Sequence, residues 1–125
     1  MKIIITTTSP NLDAQVDPRF GRGQYFLSVD TETSAWEAHA NPAMDAAGGA
    51  GTQAAQFVAG LGAKAVISGD FGPNAYLALQ AADIAMYLLG AGGTARAVAE
   101  AFKDGQLERV AGPTGPAQHS GHRTR

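Results

Sequence analysis

The chain opens on a run of apolar and β-branched residues, Lys2 to Thr7, in which no polar position alternates. Such a run predicts a strand buried on both faces. Residues 8–24 contain Pro10, Pro18, Gly21 and Gly23 and read as a long loop. "YFLSV", Tyr25 to Val29, is a second strand. A polar turn, "DTETS", then leads into "AWEAHA", where apolar and polar residues alternate. Trp36, Ala38 and Ala40 fall on one face of that segment, and Glu37 and His39 on the other. This is the pattern of a half-exposed edge strand closing a hairpin. A second long loop runs from Asn41 to Gly51.

Beyond this loop the apolar period changes from two to about 3.6. Ala54, Phe57, Val58 and Leu61 form a helical stripe, with Thr52 as the expected N-cap and Gly62 as the stop. "AVISG" predicts a short buried strand, and Pro73 stands at a first helical position before "NAYLALQAA". "IAMYLL" is a further strand. Thr94 is placed to cap a last helix with Ala95, Val98, Ala99 and Phe102 inward, ended by Gly105. The order is three strands, then helix–strand–helix–strand–helix. Right-handed crossovers turn that order into a mixed five-stranded sheet, 3-2-1-4-5, with helices on both faces. Residues 1–111 are expected to form one domain. Residues 112–125, "GPTGPAQHSGHRTR", carry no hydrophobic anchor and are expected to be a flexible tail.

Composition narrows the function. Hydrophobic residues make up 45% of the 125 positions and charged ones 16%, as a globular domain requires. A net charge of −2 argues against a general nucleic-acid binder. The absence of cysteine removes disulfides, thiolate nucleophiles and Cys-ligated metal. The first segment is too short for a signal peptide, and no apolar window approaches ~18 residues. A cytoplasmic protein with no membrane or nucleic-acid partner is therefore expected.

In α/β sheets ligands collect beyond the carboxyl ends of parallel strands. Three loops are expected there: residues 8–24, "GDFGPN" (69–74) and "GAGGT" (90–94). "GGAGTQAAQ", which opens the first helix, is expected at the opposite end, unless its long approach carries it to the site. Gly49-Ala50-Gly51-Thr52-Gln53-Ala54 mimics a dinucleotide fingerprint, but "NPAMDAA" before it is no strand. "GAGGTARA" does follow a strand, so a nucleotide at Gly90–Thr94 stays open as an alternative. No phosphate-loop motif is present. The first strand has no carboxylate, which argues against a two-metal nuclease. His39, His119 and His122 have no serine nucleophile to serve. A non-enzymatic binding protein is the expectation, with a ligand-free regulatory module as a further alternative.

"VDPRFGRGQYFLSVD", "GGAGTQAAQ", "AVISGDFGPNA" and "AFKDGQLE", in this order, resemble the dinitrogenase iron–molybdenum cofactor biosynthesis family of NifX-like proteins and the domain ending NifB. The resemblance runs from Met1 to about Val110. It implies a ribonuclease-H-like three-layer α/β fold, in line with the element order. It also implies carriage or escort of an iron–sulfur or iron–molybdenum cofactor precursor in nitrogenase-type assembly, with cofactor-assembly proteins as partners. The cofactor-binding residues it suggests are Arg19, Phe20, Gly21, Arg22, Gly49, Gly51, Thr52, Gly69, Asn74, Gly92 and Thr94. An anionic cluster suits arginines, helix N-termini and glycines that allow close backbone approach. The competing reading of Arg19 is an ion pair with Asp17 or Asp13 that pins the loop, and of Phe20, a hydrophobic anchor. His39, His119 and His122 are the candidate metal ligands. The protein is expected to be a monomer.

Overall fold

A computed structural model describes residues 1–46 and 48–113. Its elements are β1 (Lys2–Thr7), β2 (Tyr25–Asp30), β3 (Trp36–Ala40), α1 (Ala50–Gly60), β4 (Ala65–Ser68), α2 (Pro73–Ala81), β5 (Ala85–Leu88) and α3 (Ala95–Lys103). The strands form one sheet in the order β3-β2-β1-β4-β5. β1 pairs antiparallel with β2 and parallel with β4, so it is the central strand where the hairpin half meets the crossover half. That position explains its unbroken apolar run: Ile3, Ile4 and Ile5 are all fully buried.

The two faces of the sheet carry separate cores. Ile4, Phe26, Val66 and Met86 pack with Ala54, Val58, Ala75 and Leu79 of α1 and α2. Ile3, Ile5, Leu27 and Ile67 pack with Val98 and Ala99 of α3. On the first face Phe20 stacks its ring 5.5 Å from Phe26 and 5.6 Å from Phe71, so two loops are anchored into the core by aromatics. Each such pair contributes about 0.5–1.5 kcal/mol beyond its buried area.

Two local expectations are corrected. α1 begins at Ala50, behind Gly49 in a left-handed conformation (φ 72°), so Thr52 lies inside the first turn and caps nothing. A left-handed backbone there is what a glycine supplies and a capping side chain does not. On β3 the side chains alternate as expected, but burial follows position along the strand and not face: Glu37 is 75% exposed while His39, on the same face, is 22% exposed. His39 faces α1, its ring centroid 6.0 Å from that of Phe57 in an edge-on arrangement, while Trp36 remains 41% exposed. α1 reaches this face of the sheet edge, whereas α3 covers the centre of the other. After α3 the chain returns along β5, where Leu88 N donates to Glu108 O and Val110 N to Met86 O. This return covers the outer edge of β5.

Candidate functional site

The turn Asp17–Arg19 is strapped across the carboxyl ends of β1 and β4. Thr6 Oγ1 donates to the carbonyl of Asp17, and Ser68 Oγ donates to Pro18 O at 3.2 Å. Pro18 O also accepts from Gly69 N (3.0 Å) and Asp70 N (2.9 Å). A Cβ at Gly69 would lie 2.4 Å from Pro18 Cβ, so only glycine admits this approach. Gly69 is thus a packing residue of the strap. The carboxylate of Asp17, 3% exposed, accepts from Arg19 N at 3.0 Å and from Arg19 Nε and Nη2 at 3.1 Å each. The guanidinium itself is 59% exposed. Hydrogen bonding to Asp17, with its negative charge, raises the Arg19 pKa above the ordinary value, so the cation is permanent. The ion pair weighed for Arg19 is therefore present with Asp17, whereas Asp13 pairs with Arg96. Phe20 is 1% exposed in the core and is an anchor, out of a ligand's reach.

The helix that begins at "GGAG" starts at this same end. A crossover helix runs antiparallel to the strand it feeds, so its N-terminus stands at that strand's carboxyl end. The expectation of the opposite end is corrected on that ground. A Cβ on Gly51 would sit 3.1 Å from Ala75 Cβ, and one on Gly21 would sit 3.1 Å from Gly51 N. The 8–24 loop, the start of α1 and the start of α2 thus meet backbone to backbone. Arg22 closes this corner, its Nη1 donating to Met44 O at 3.1 Å and Ala46 O at 2.7 Å.

The three helix N-termini differ in what satisfies them. The first four N–H groups of a helix lack intrahelical acceptors. In α3, Ala95 N donates to Ala14 O (3.0 Å), Arg96 N to Leu12 O (2.8 Å) and Ala97 N to Thr94 Oγ1 (3.2 Å). That N-terminus is saturated by the protein. In α1 the first intrahelical donor is Gln53, to Gly49 O, and in α2 it is Tyr76, to Gly72 O. Neither helix has a side-chain cap or an acid in its first turn. Among the described residues, half-buried Thr52 and exposed Asn74 are thus left to present N–H groups at adjoining positive helix ends, whereas Gly51 and Ala75 lie against neighbouring backbone. Gly92 and Thr94 belong to a separate corner, where Val16 N donates to Gly93 O on the α3 side of the sheet.

Residues 1–105 match the family described as dinitrogenase iron-molybdenum cofactor. The chain belongs to this family. Among solved structures, the apo form of the orange protein from Desulfovibrio gigas is 43% identical, with TM-score 0.87 over 91% of this chain and 96% of that one. A putative NifB protein from Thermotoga is 31% identical, with TM-score 0.80 over 92% and 97%. No curated protein matches.

The family's metal cofactor can be set against the donors in place. Among the described residues no group of three or more His, Cys, Asp or Glu side chains is arranged to hold a metal ion. His39 Nε2 is buried without a hydrogen-bond partner, 3.6 Å from Glu37 Oε1 and packed beside Phe57. It is a wall residue of the hairpin, and with Glu37 it belongs to no group of three such side chains among the described residues. His119 and His122 lie outside the described residues. Among the described residues the donor set does not fit ligation of a metal ion. Residues that the sequence reading passed over are Thr6, Ser68, Pro18 and Ala75. The signal for Thr6 and Ser68 was a hydroxyl at the carboxyl end of each of two largely apolar strands; no local signal marks Pro18 or Ala75.

Proposed function

We propose that this protein is a non-enzymatic carrier that holds an anionic metal–sulfur cofactor precursor at the adjoining N-termini of α1 and α2. Arg22 and Arg19 stand beside these ends, and Gly21 and Gly51 let the segments meet. The observation that carries the reading is the contrast among helix ends. The α3 end is filled by Leu12, Ala14 and Thr94, whereas the α1 and α2 ends have no side-chain cap and no acid. A helix end left in that state favours an anion by roughly 0.3–1 kcal/mol at an exposed position, and two together with a guanidinium favour it more. Family membership supports a metal-containing cargo, and the likeness to an orange protein solved in its apo form fits a protein that holds a removable group. Since the chain has no cysteine, the cargo leaves and enters without exchange of thiolate ligands. Among the described residues no helix is long and apolar enough to cross a membrane, and the cargo is taken to be handed to assembly proteins in the cytoplasm.

Asn74→Asp tests the site, because it pulls two quantities in opposite directions. A carboxylate in the first turn of α2 should raise stability by about 0.3–1 kcal/mol. The same charge a few ångströms from a bound anion should weaken molybdate binding roughly fivefold at low salt. Ala97→Glu, in the first turn of α3, should leave molybdate affinity unchanged. If Ala97→Glu weakens binding and Asn74→Asp does not, the anion sits at Gly90–Thr94 and the proposal is wrong.

A further inference from the structure

β3 is a free sheet edge: among the described residues it pairs with β2 alone. Natural edges are usually blunted by proline, lysine, a bulge or a covering segment. The edge of β5 is covered by the returning 107–110 segment, but Trp36-Glu37-Ala38-His39-Ala40 has no proline, lysine, bulge or covering segment among the described residues, and Glu37 is its one charged side chain. Which of its backbone groups point outward follows from the hairpin ladder. Asp30 N donates to Ala35 O and Asn41 N to Gln24 O, and hydrogen-bonded pairs alternate along an antiparallel ladder. Glu37 and His39, opposite Ser28 and Phe26, therefore spend their N–H and C=O on β2. Trp36, Ala38 and Ala40 present theirs to the outside.

We propose that β3 is a self-complementary docking edge for a second copy of this chain, joined by antiparallel β3–β3 pairing about a two-fold axis at Ala38. In that register the outward groups match in phase: Ala38 faces Ala38, and Trp36 faces Ala40 on both sides of the axis. All three positions carry free donors and acceptors, so six backbone hydrogen bonds can close. The positions between them form the non-hydrogen-bonded pairs, where side chains come closest. There the exposed Glu37 of each copy lies across from His39 of the other, twice over, so like does not oppose like, with His39 Nε2 itself turned in beside Phe57. On the opposite face the exposed Trp36 covers Ala40 and Ala38 of the second copy, and its apolar area leaves water. A register shifted by two residues puts Glu37 against Glu37 or His39 against His39, so one alignment is favoured. The result is a continuous ten-stranded sheet, with both candidate anion sites on its loops.

Sedimentation velocity of the full chain from micromolar to millimolar concentration reads this directly. The mass should rise reversibly toward twice the monomer value. Ala38→Pro removes the central outward N–H at an edge position where proline is tolerated, and should stay monomeric throughout. Glu37→Lys, on an exposed side chain, sets Lys opposite His39 and should weaken association at least tenfold; it serves if Ala38→Pro fails to fold. A wild-type chain that is monomeric at every concentration overturns the proposal and leaves the edge to some other partner. A dimer that survives Ala38→Pro, or Glu37→Lys where the proline variant does not fold, also overturns it, by placing the interface elsewhere.

Discussion

Gly69→Ala tests the strap that holds the candidate site together. The new Cβ would stand 2.4 Å from Pro18 Cβ, 2.6 Å from Pro18 Cα and 2.9 Å from Pro18 O. Two carbons in ordinary contact need about 3.5 Å or more, so the Asp17–Arg19 turn must retreat by roughly 1 Å. Retreat of this kind in a packed region costs about 1–3 kcal/mol. It also stretches the three hydrogen bonds that Pro18 O accepts from Ser68 Oγ, Gly69 N and Asp70 N. Loss of even one adds about 1 kcal/mol. The expected total is about 2–4 kcal/mol, a large share of the roughly 5–15 kcal/mol that holds a domain folded. Gly60→Ala is the control, since nothing lies within 4 Å of where its methyl would stand and Gly60 is helical and exposed. Alanine there should stabilise by up to about 1 kcal/mol. Urea unfolding followed by circular dichroism measures both. Equal effects of the two substitutions, or a Gly69→Ala loss under about 0.5 kcal/mol, would refute the packing argument.

Arg19→Ala with Arg22→Ala should lower molybdate or phosphate affinity at least tenfold, about 1.4 kcal/mol, by isothermal titration. Unchanged affinity would make both arginines purely structural. Thr94→Ala removes the only side-chain N-cap among the three helices and should cost about 1 kcal/mol in urea unfolding while anion affinity per folded molecule stays the same. A parallel loss of affinity would instead bring the α3 corner into the site. The hydrogen bond from Glu32 N, assisted by that from Thr33 N, holds the Asp30 carboxyl below its ordinary pKa. Its folded value is thus below its unfolded one, so this contribution is complete above the usual carboxylate range and is lost as pH falls through the depressed value. Asp30→Asn should flatten acid unfolding in that window; identical pH profiles would contradict the assignment.

Sequence determined the sheet. The unbroken Ile3–Ile5 run, the alternation at Trp36–Ala40 and the change to helical period after Ala54 each report a local environment, and topology rules convert that order into β3-β2-β1-β4-β5. The pairing of Arg19 was also legible as one of two choices, because Asp17 lies two residues away. Tertiary structure alone decided which N-termini are open. Gly92 and Thr94 look as inviting as Gly49 and Gly51 in one dimension, yet the α3 end is filled by Leu12 and Ala14, some eighty residues earlier in the chain. His39 likewise reads as a surface residue until Phe57 is set beside it. Propensity and period are properties of neighbours along the chain. Whether a helix end, an imidazole or a glycine is free for a ligand depends on which distant segment packs against it, and no local pattern encodes that.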